Sequence, residues 1–371
     1  MTVHIFNPEH DLALAHGMVY FTPPHAGRQL RHDLGWLPAL WAAEGDGVLV
    51  DDVELAERSW KRLKGRLATA ACCQPQFMAW KQLPQLSGEE DSIEPWGWNP
   101  ALRASLARCG THPMLLPIDS QIINVIELSH RNVGAALLPR LRVEGTVGEA
   151  FECQSLEEVK TVAARYGKVV LKAPWSSSGR GVRFAGESFA AQLSLDQLPP
   201  ATANMVGWLK NILYAQGSVM VEPFYHKVKD FAMEFRAHGN GKVGYLGLSL
   251  FHTENGAYTG NILATEQAKR DMLARYLPME LLSKVQERIC RLMGEVCQGR
   301  YEGPFGVDMM VVAHQSATLL HPCVEINLRR TMGHVALAAG RLFNPQEDYD
   351  LRHVMRIDYT NNNYKLRIRN L

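Results

Sequence analysis

Five short signals occur in a set order along the chain, and this order constrains the fold more than any single motif does. An apolar run over residues 169–172 ends on a lysine and leads into a serine- and glycine-rich loop, 176–181. A second apolar run ends on a glutamate within 219–224, and two later runs, 306–310 and 324–329, carry Asp, Glu, Asn and Arg. Apolar runs bounded in this way are typical of buried strands. Together the polar residues are of the kind that hold phosphate groups and a hard cation.

Length and composition narrow the class of protein. A chain of 371 residues is too long for one typical core and predicts two or three domains or subdomains. The hydrophobic fraction of 46% and charged fraction of 21% are ordinary for a globular protein, and a net charge of +1 does not favour nucleic acid or an anionic membrane as a partner. No apolar run reaches the ~18 residues of a membrane span, and the N-terminus does not resemble a signal peptide, so we expect a cytoplasmic protein.

Cysteines and histidines do not indicate a soft-metal site. The seven cysteines are odd in number and contain no CxxC pair, which predicts neither a disulfide framework nor a zinc site. The fourteen histidines are scattered and contain no HExxH motif. We expect reduced thiols that are mostly buried.

The first hundred residues suggest a small parallel α/β unit. Residues 3–6 and 47–52 are predicted as strands, and 26–44 as a helix that Pro38 interrupts. Residues 84–100, rich in Pro, Gly, Trp and acids, are predicted as a loop.

Beyond this unit the pattern alternates between helices and strands. A capping box at Ser155 and Glu158 predicts a helix that closes at Gly167. The other predicted helices cover 129–141, 205–215 and 278–298, and the other predicted strands cover 151–153, 169–173, 218–224, 230–237, 243–250, 306–312 and 318–326. Two strand patterns, 355–359 and 364–368, flank three asparagines and predict a hairpin.

Lys172 and the loop after it are the first candidate site. A lysine at the end of a buried strand is held by rigid backbone, and its ammonium can bridge phosphate oxygens. Small loop residues let backbone N–H groups approach a phosphate closely. The loop residues are Ser176, Ser177, Ser178, Gly179, Arg180 and Gly181. The alternative is a strand-end lysine beside an ordinary flexible hairpin, since this loop is not a Walker A motif.

Asp308, Glu325 and Asn327 are the best candidates for metal ligands. Glu325 and Asn327 are two apart on a strand, so their side chains face the same way, and a hairpin can place Asp308 beside them. Two carboxylates and an amide oxygen suit Mg²⁺, which keeps waters and phosphates at its other positions. The alternative is a pair of strands with outward polar residues.

Together, these motifs resemble the ATP-grasp superfamily over roughly residues 118–345. Residues 219–235 are similar to D-alanine–D-alanine ligases, and residues 325–334 to biotin carboxylase. The resemblance implies a mixed α/β and α+β protein: the ATP-grasp fold preceded by a Rossmann-like (pre-ATP-grasp) α/β domain. The expected divisions are residues 1–117, an N-subdomain at 118–217, a C-subdomain at 218–345, and a C-terminal β-hairpin at 346–371.

The resemblance also implies a nucleotide site. Glu222, Pro223 and Phe224 would hold the adenine edge at a hinge, and Asp230, which stands where that family has Glu, would bind the ribose. Arg131, 41 residues before Lys172, stands where many members carry a phosphate-binding lysine. The loop 176–181 would close over the triphosphate.

Arg329 would stabilise the phosphoryl group during transfer, with Lys172 as the second catalytic residue. Gly333 departs from the pattern, since biotin carboxylase has at this position the glutamate that handles bicarbonate; bicarbonate is therefore not the expected substrate. Arg330 and His334 are substrate candidates, although a structural role for His334 is equally compatible with the sequence.

Three further residues outside the motifs are substrate candidates. Asn7 lies in the turn 7–11 after the first strand, where Asp11 would otherwise cap a helix beginning at Leu12. Tyr258 and Asn261 lie in a polar stretch, 252–261, that either closes over the acceptor or is a surface loop.

We therefore predict an ADP-forming ATP- and Mg²⁺-dependent ligase that activates a carboxylate as an acyl phosphate for attack by an amine, thiol or similar nucleophile. One or two Mg²⁺ ions are expected, with Mn²⁺ able to substitute. The partners would be small-molecule or peptide substrates, with no nucleic acid and no membrane, and self-association stays open. The alternatives are a phosphotransferase of the same fold that acts on a hydroxyl, or a regulatory module that binds ATP without catalysis.

Overall fold

The computed structural model describes residues 1–67, 74–176, 181–254, 257–315 and 317–371. In this part of the chain, four sheets of four strands each are surrounded by helices, with one parallel sheet near the N-terminus and antiparallel sheets after it. This confirms the predicted mixed α/β and α+β class. The division into domains stays a prediction.

The first sheet is parallel and has the order β3-β2-β1-β4. Its strands are β1 Thr2–Ile5, β2 Gly47–Val50, β3 Gln76–Ala79 and β4 Ser92–Pro95. The helices around it are α1 His10–His16, α2 His25–Leu34, α3 Val53–Lys64 and α4 Pro100–Arg108. Since the strands are parallel, their carboxyl ends and the turns that follow them gather at one edge.

Two predictions for this region were wrong. The segment 84–100 is not only a loop, because it contains β4, which pairs with β1 along its whole length. The predicted helix 26–44 ends at Leu34, and a 3₁₀ turn at Leu37–Leu40 follows. Pro38 lies in that turn, where its ring is tolerated, whereas it would break a continuing α-helix.

The second sheet is antiparallel with the order β5-β8-β6-β7. Its strands are β5 Phe151–Cys153, β6 Val169–Lys172, β7 Val182–Ala185 and β8 Val219–Pro223. The helices are α5 Asp119–Leu128, α6 Arg131–Leu141, α7 Leu156–Tyr166, α8 Phe189–Gln192 and α9 Pro200–Gln216. The Ser155 side chain accepts the Glu158 N–H at 3.2 Å at the start of α7, as the capping signal predicted.

The third sheet, β10-β9-β13-β14, is also antiparallel. Its strands are β9 Lys227–His238, β10 Val243–Ser249, β13 Glu302–His314 and β14 Ala317–Asn327. The helices are α10 Glu266–Ala274, α11 Met279–Cys297 and α12 Met332–Phe343. Phe235 and Phe305 stack at 5.1 Å in its core.

The fourth sheet contains the predicted C-terminal hairpin. Its strands are β11 Phe251–Glu254, β12 Ala257–Leu263, β15 His353–Thr360 and β16 Asn363–Asn370. Asn361 and Asn362 form the two-residue turn with φ of 53° and 60°, a left-handed conformation that asparagine tolerates well. The described part of the stretch 252–261 lies in β11 and β12, so the alternative of a surface loop does not hold there, and contact with the acceptor stays a prediction.

Two simpler expectations concern membranes and thiols. Among the described residues, no helix is long and apolar enough to cross a membrane. The five cysteines in the described ranges are free thiols.

Candidate functional site

The three candidate metal ligands lie together on β13 and β14. Asp308 stands directly opposite Glu325 in the antiparallel register, and Gly306 stands opposite Asn327. The Asn327 amide Nδ2 donates to Asp308 Oδ2 at 3.2 Å. Because these side chains project from paired strands, the backbone ladder fixes their spacing.

The electrostatics of this group favour a cation. Burial raises the pKa of Asp308 to about 8, and the nearby Glu325 and Glu234 carboxylates add to the effect. No group of three His, Cys, Asp or Glu side chains that could hold a metal occurs among the described residues. The site therefore depends on two carboxylates and the Asn327 amide, a donor set that suits Mg²⁺.

Asn327 is held on its other side by Arg329. Arg329 Nη2 donates to Asn327 Oδ1 at 2.9 Å. A half-turn of this amide would bring its oxygen to the Asp308 side, but it would turn the amide N–H groups toward the Arg329 donor and end that hydrogen bond. Two carboxylates and one amide oxygen are donors that fit a magnesium ion, once Arg329 releases the amide oxygen.

Arg329 is anchored to the first sheet by Asp11, a residue that the sequence analysis did not assign to the site. Arg329 Nε donates to Asp11 Oδ1 at 2.8 Å, and Nη2 to Oδ2 at 2.5 Å. Burial opposes ionisation of Asp11, but the charge and the hydrogen bonds of Arg329, together with smaller contributions from His10 and Arg131, outweigh it and lower the Asp11 pKa. Asp11 lies within α1, which begins at His10, so the prediction that it caps a helix from Leu12 was wrong.

Lys172 lies at the end of β6 and forms a buried ion pair. Its Nζ is 2.6 Å from Glu222 Oε2, and it donates to the Val324 carbonyl at 3.3 Å. Both side chains are about nine-tenths buried, so each charge depends on the other for compensation. Lys172 thus links the second sheet to β14, one residue before Glu325.

Arg131 joins the serine loop to the candidate metal ligands. Its Nη2 donates to Glu325 Oε1 at 2.6 Å, and its Nη1 to Ser176 Oγ at 2.8 Å. Gly181 closes the loop base, where an added Cβ would come within 2.3 Å of the Ser176 Cβ. The predicted phosphate-loop residues Ser177, Ser178, Gly179 and Arg180 lie outside the described residues.

The predicted adenosine-binding residues lie on β8, β9 and the turn between them. Pro223 ends β8, and the Phe224 N–H donates to the Lys168 carbonyl at 2.9 Å. Asp230 lies on β9, with a carboxylate oxygen 2.5 Å from Lys227 Nζ. Their assignment to a nucleotide stays a prediction.

Three of the substrate candidates belong to one buried polar cluster. Asn261 Nδ2 donates to Ser249 Oγ at 2.8 Å, and the Tyr258 hydroxyl donates to Asn261 Oδ1. His334 Nδ1 lies 2.9 Å from Glu234 Oε2 at the start of α12. Burial raises the pKa of Tyr258, which keeps its hydroxyl a donor.

Glu234 is the second residue that the sequence analysis missed. It is 1% exposed, and its Oε1 would lie 1.8 Å from a Cβ built on Gly333. A carboxylate from β9 thus occupies the place of a side chain at position 333. That bicarbonate is not the substrate stays a prediction.

Asn7 and Arg330 have structural partners instead. Asn7 Nδ2 donates to the Gly97 carbonyl at 2.9 Å, which ties the turn after β1 to the turn after β4. Arg330 Nη2 donates to Glu94 Oε2 at 2.8 Å, and its guanidinium lies 4.6 Å from the Trp41 ring centroid. The Asn7 contact favours a role within the first sheet, and the Arg330 contacts favour a role in joining that sheet to the segment after β14.

Solved structures share this architecture. One is N5-carboxyaminoimidazole synthetase from Staphylococcus aureus complexed with ADP, with 12% identity, 97% of this chain and 83% of that chain covered, and a TM-score of 0.50. Another is the biotin carboxylase domain dimer of Hydrogenobacter thermophilus 2-oxoglutarate carboxylase, in complex with MgADP, ADP and bicarbonate, with 15% identity, 96% and 74% covered, and a TM-score of 0.51. This chain has the ATP-grasp fold. No family model and no curated protein matches the sequence.

The ATP-grasp fold accounts for the arrangement of the candidate site. Lys172 and Ser176 come from the second sheet and its loop, and Asp308 and Glu325 from the third. Their assignment to one ATP site stays a prediction.

Proposed function

We propose that the protein is an ADP-forming ligase that uses ATP and Mg²⁺ to activate a carboxylate as an acyl phosphate. An amine or a similar nucleophile then displaces the phosphate. The observation that carries this proposal is the convergence of Asp308, Glu325 and Asn327 with the cations of Arg131 and Arg329.

The acidic residues would bind the metal ion, and the basic residues would bind the phosphate groups. ATP with Mg²⁺ supplies the transferable phosphoryl group and neutralises part of its charge. Asp308, Glu325 and Asn327 would hold the cation, and Arg131 and Lys172 would bind phosphate oxygens. The serine loop 176–181 would cover the phosphates.

Arg329 would stabilise the charge that spreads over the phosphoryl oxygens during transfer. Its bidentate pair with Asp11 fixes the plane of the guanidinium, so the fixed charge needs little reorganisation during the reaction. The substrate carboxylate oxygen would attack the γ-phosphorus, and ADP would leave. The nucleophile would then attack the acyl carbon and release phosphate.

The structural neighbours support the choice of nucleotide. Both solved structures are complexes with ADP, and one of them also contains magnesium and bicarbonate. Glu234, beside Gly333, adds a buried carboxylate that supports an acceptor site near His334. Tyr258 and Asn261 extend the same cluster, so we propose that the acceptor binds there.

Hydroxylamine trapping tests the reaction class directly. We expect hydroxamate and ADP to form together when the protein is supplied with ATP, Mg²⁺, hydroxylamine and a panel of carboxylates that includes bicarbonate. Asp308→Asn should abolish both products, whereas Asp196→Asn, at an exposed position, should leave them unchanged.

Positional isotope exchange sharpens this test. Scrambling of the β–γ bridge oxygen that requires a carboxylate but no amine supports the acyl phosphate. Absence of scrambling with every carboxylate, together with stable phosphorylation of an alcohol, would assign a phosphotransferase. Tight ATP binding with neither activity would assign a regulatory module.

A further inference from the structure

Each of the three candidate metal ligands already has a partner within the protein. Glu325 Oε1 accepts from Arg131 Nη2 at 2.6 Å, and Asn327 Oδ1 accepts from Arg329 Nη2 at 2.9 Å. Asp308 Oδ2 accepts from the nitrogen of the same amide, Asn327 Nδ2, at 3.2 Å. A metal ion that binds these side chains therefore competes with two guanidinium groups and an amide.

Arg131 is the competitor that opposes a cation most directly. Its side chain is 8% exposed, and its Nη2 lies against a Glu325 carboxylate that is 29% exposed. A guanidinium in this position compensates the carboxylate charge and repels a second cation at the same group. Since a carboxylate binds Mg²⁺ through its charge, Glu325 attracts the ion weakly while Arg131 remains on it.

Arg329 is anchored elsewhere and does not have to move. Its Nε donates to Asp11 Oδ1 at 2.8 Å and its Nη2 to Asp11 Oδ2 at 2.5 Å, in addition to the bond to Asn327. When the Asn327 amide turns, Arg329 keeps its carboxylate partner. The guanidinium that has to leave a metal ligand is therefore that of Arg131.

Arg131 also contacts the loop that is proposed to cover the phosphates. Its Nη1 donates to Ser176 Oγ at 2.8 Å, at the first residue of the serine loop. Its buried Nε has no hydrogen-bond partner within the described ranges. A phosphate oxygen accepts from a guanidinium in the same charge-assisted way as a carboxylate oxygen does. A phosphate beneath the loop would therefore offer Arg131 a second anionic partner.

We propose that Arg131 is an internal counter-ion, which occupies Glu325 before the nucleotide binds and moves to the phosphates when ATP binds. Mg²⁺ then binds at full strength only together with the nucleotide. This inference rests on the proposed function, because it requires the triphosphate beneath the serine loop. By thermodynamic reciprocity, the metal and the nucleotide increase each other's affinity by the same factor.

Titration of the full chain with Mn²⁺ alone, followed by electron paramagnetic resonance, tests the role of Arg131. Arg131→Met removes the charge, so it should bind Mn²⁺ about tenfold more tightly than the wild type, the value of one hydrogen bond to a charged group. Arg131→Lys keeps a cation and should bind Mn²⁺ as weakly as the wild type. Arg140→Met removes an exposed arginine that pairs with Glu295, and it should also match the wild type.

Crystals test the same inference without a variant. With Mn²⁺ alone, Arg131 should remain on Glu325 and the metal should not be coordinated by that carboxylate. With Mn²⁺ and a non-hydrolysable ATP analogue, Arg131 should contact a phosphate oxygen and Glu325 should coordinate the metal.

Two results would overturn the inference. One is an Arg131→Met protein that binds Mn²⁺ alone no more tightly than the wild type, as a purely structural role for Arg131 would give. The other is a crystal in which Glu325 coordinates the metal while Arg131 still donates to it. No carboxylate or amine substrate is present in these measurements, so they can fail while hydroxylamine trapping succeeds, and the reverse also holds.

Discussion

At residue 333 the absence of a side chain matters, because the Glu234 carboxylate occupies the space that a side chain would need. The same carboxylate would lie 2.6 Å from a Cβ on Gly306, so two glycines frame it. Lys172 and Glu222 form a second tight unit, in which two nearly buried charges compensate each other. These residues therefore act in pairs, and a change to one member leaves the other without the partner that accommodates it.

Gly333→Ala should destabilise the protein by ~1–3 kcal/mol, because overpacking forces Glu234 out of its place. Gly340 lies on the same helix, α12, with nothing within 4 Å of an added Cβ. Gly340→Ala should therefore be neutral or stabilising by roughly 0.5–1 kcal/mol. Chemical denaturation of the wild type and the two variants measures the free energy of unfolding of each. Equal changes at both glycines would contradict the close contact between Glu234 and position 333.

Lys172→Ala should weaken ATP binding and also cost about 3–5 kcal/mol of stability, because it leaves the Glu222 carboxylate buried without a cation. The double variant Lys172→Met with Glu222→Gln removes both charges and should recover much of the stability without recovering ATP binding. Calorimetric titration with ATP and thermal unfolding separate the two effects. Unchanged ATP affinity in the double variant would remove Lys172 from the phosphate site.

Among the elements, β4 joins separate parts of the molecule although it has only four residues. Its four residues complete the parallel sheet, and Glu94 within it reaches two arginines and a histidine. Glu94 carboxylate oxygens lie 2.6 Å from Arg236, 2.8 Å from Arg330 and 3.3 Å from His4. One short strand therefore ties the first sheet to β9 and to the segment after β14.

The Glu94 interactions predict a pH dependence of stability. Burial opposes ionisation, but the nearby His4 ring and the Arg330 and Arg236 guanidinium groups together outweigh it and lower the Glu94 pKa. The ionised Glu94 side chain therefore contributes its full stabilisation to the folded state above the unfolded-state pKa of about 4.3. This contribution is lost as the pH falls toward the lower pKa of Glu94 in the folded state.

Glu94→Gln should cost roughly 1.5–3 kcal/mol near neutral pH, the range for a hydrogen bond to a charged group. The gap between wild type and variant should narrow as the pH falls from about 6 to about 3, where Glu94 begins to take up its proton in the unfolded chain. Denaturation midpoints across this range measure the gap, and a gap that stays constant or widens would show that the Glu94 charge is not the cause.

For the whole molecule, the pair of Asp11 and Arg329 connects the N-terminal sheet to the candidate catalytic centre. The two residues are 318 positions apart in the chain, and both are largely buried. The first sheet thus contributes a side chain that orients the group proposed to stabilise phosphoryl transfer.

Asp11→Asn should destabilise the protein by roughly 3–5 kcal/mol, since it leaves the Arg329 guanidinium buried without its carboxylate. Asp119→Asn breaks an exposed aspartate–arginine pair, with Arg103, and should change stability by less than about 1 kcal/mol. The thermal unfolding temperature and the Mg²⁺-dependent affinity for ATP should both fall in Asp11→Asn, and neither should change in Asp119→Asn. Similar results for the two variants would show that the buried pair has no special role.

Local signals in the sequence predicted most elements and the core of the candidate site. Residues 169–172 and 219–224 were recognised as strands by their apolar runs, and Glu325 and Asn327 share a face because side chains alternate along a strand. The loop prediction for 84–100 failed because β4 is only four residues long and lies among Pro, Gly and Trp. The strand β4 is stabilised by pairing with β1, about 90 residues earlier, and a local sequence pattern does not indicate such a distant partner.

The sequence by itself determined which residues form strands and helices, and which polar groups stand at strand ends, because these depend on neighbours a few positions away. Only the tertiary structure decided which charges meet. Asp11 contacts Arg329, Glu234 lies beside Gly333, and Glu94 contacts Arg236, Arg330 and His4, because separate sheets pack together. Such contacts join residues about 90 to more than 300 positions apart, and their partners are chosen by the packing of the whole chain.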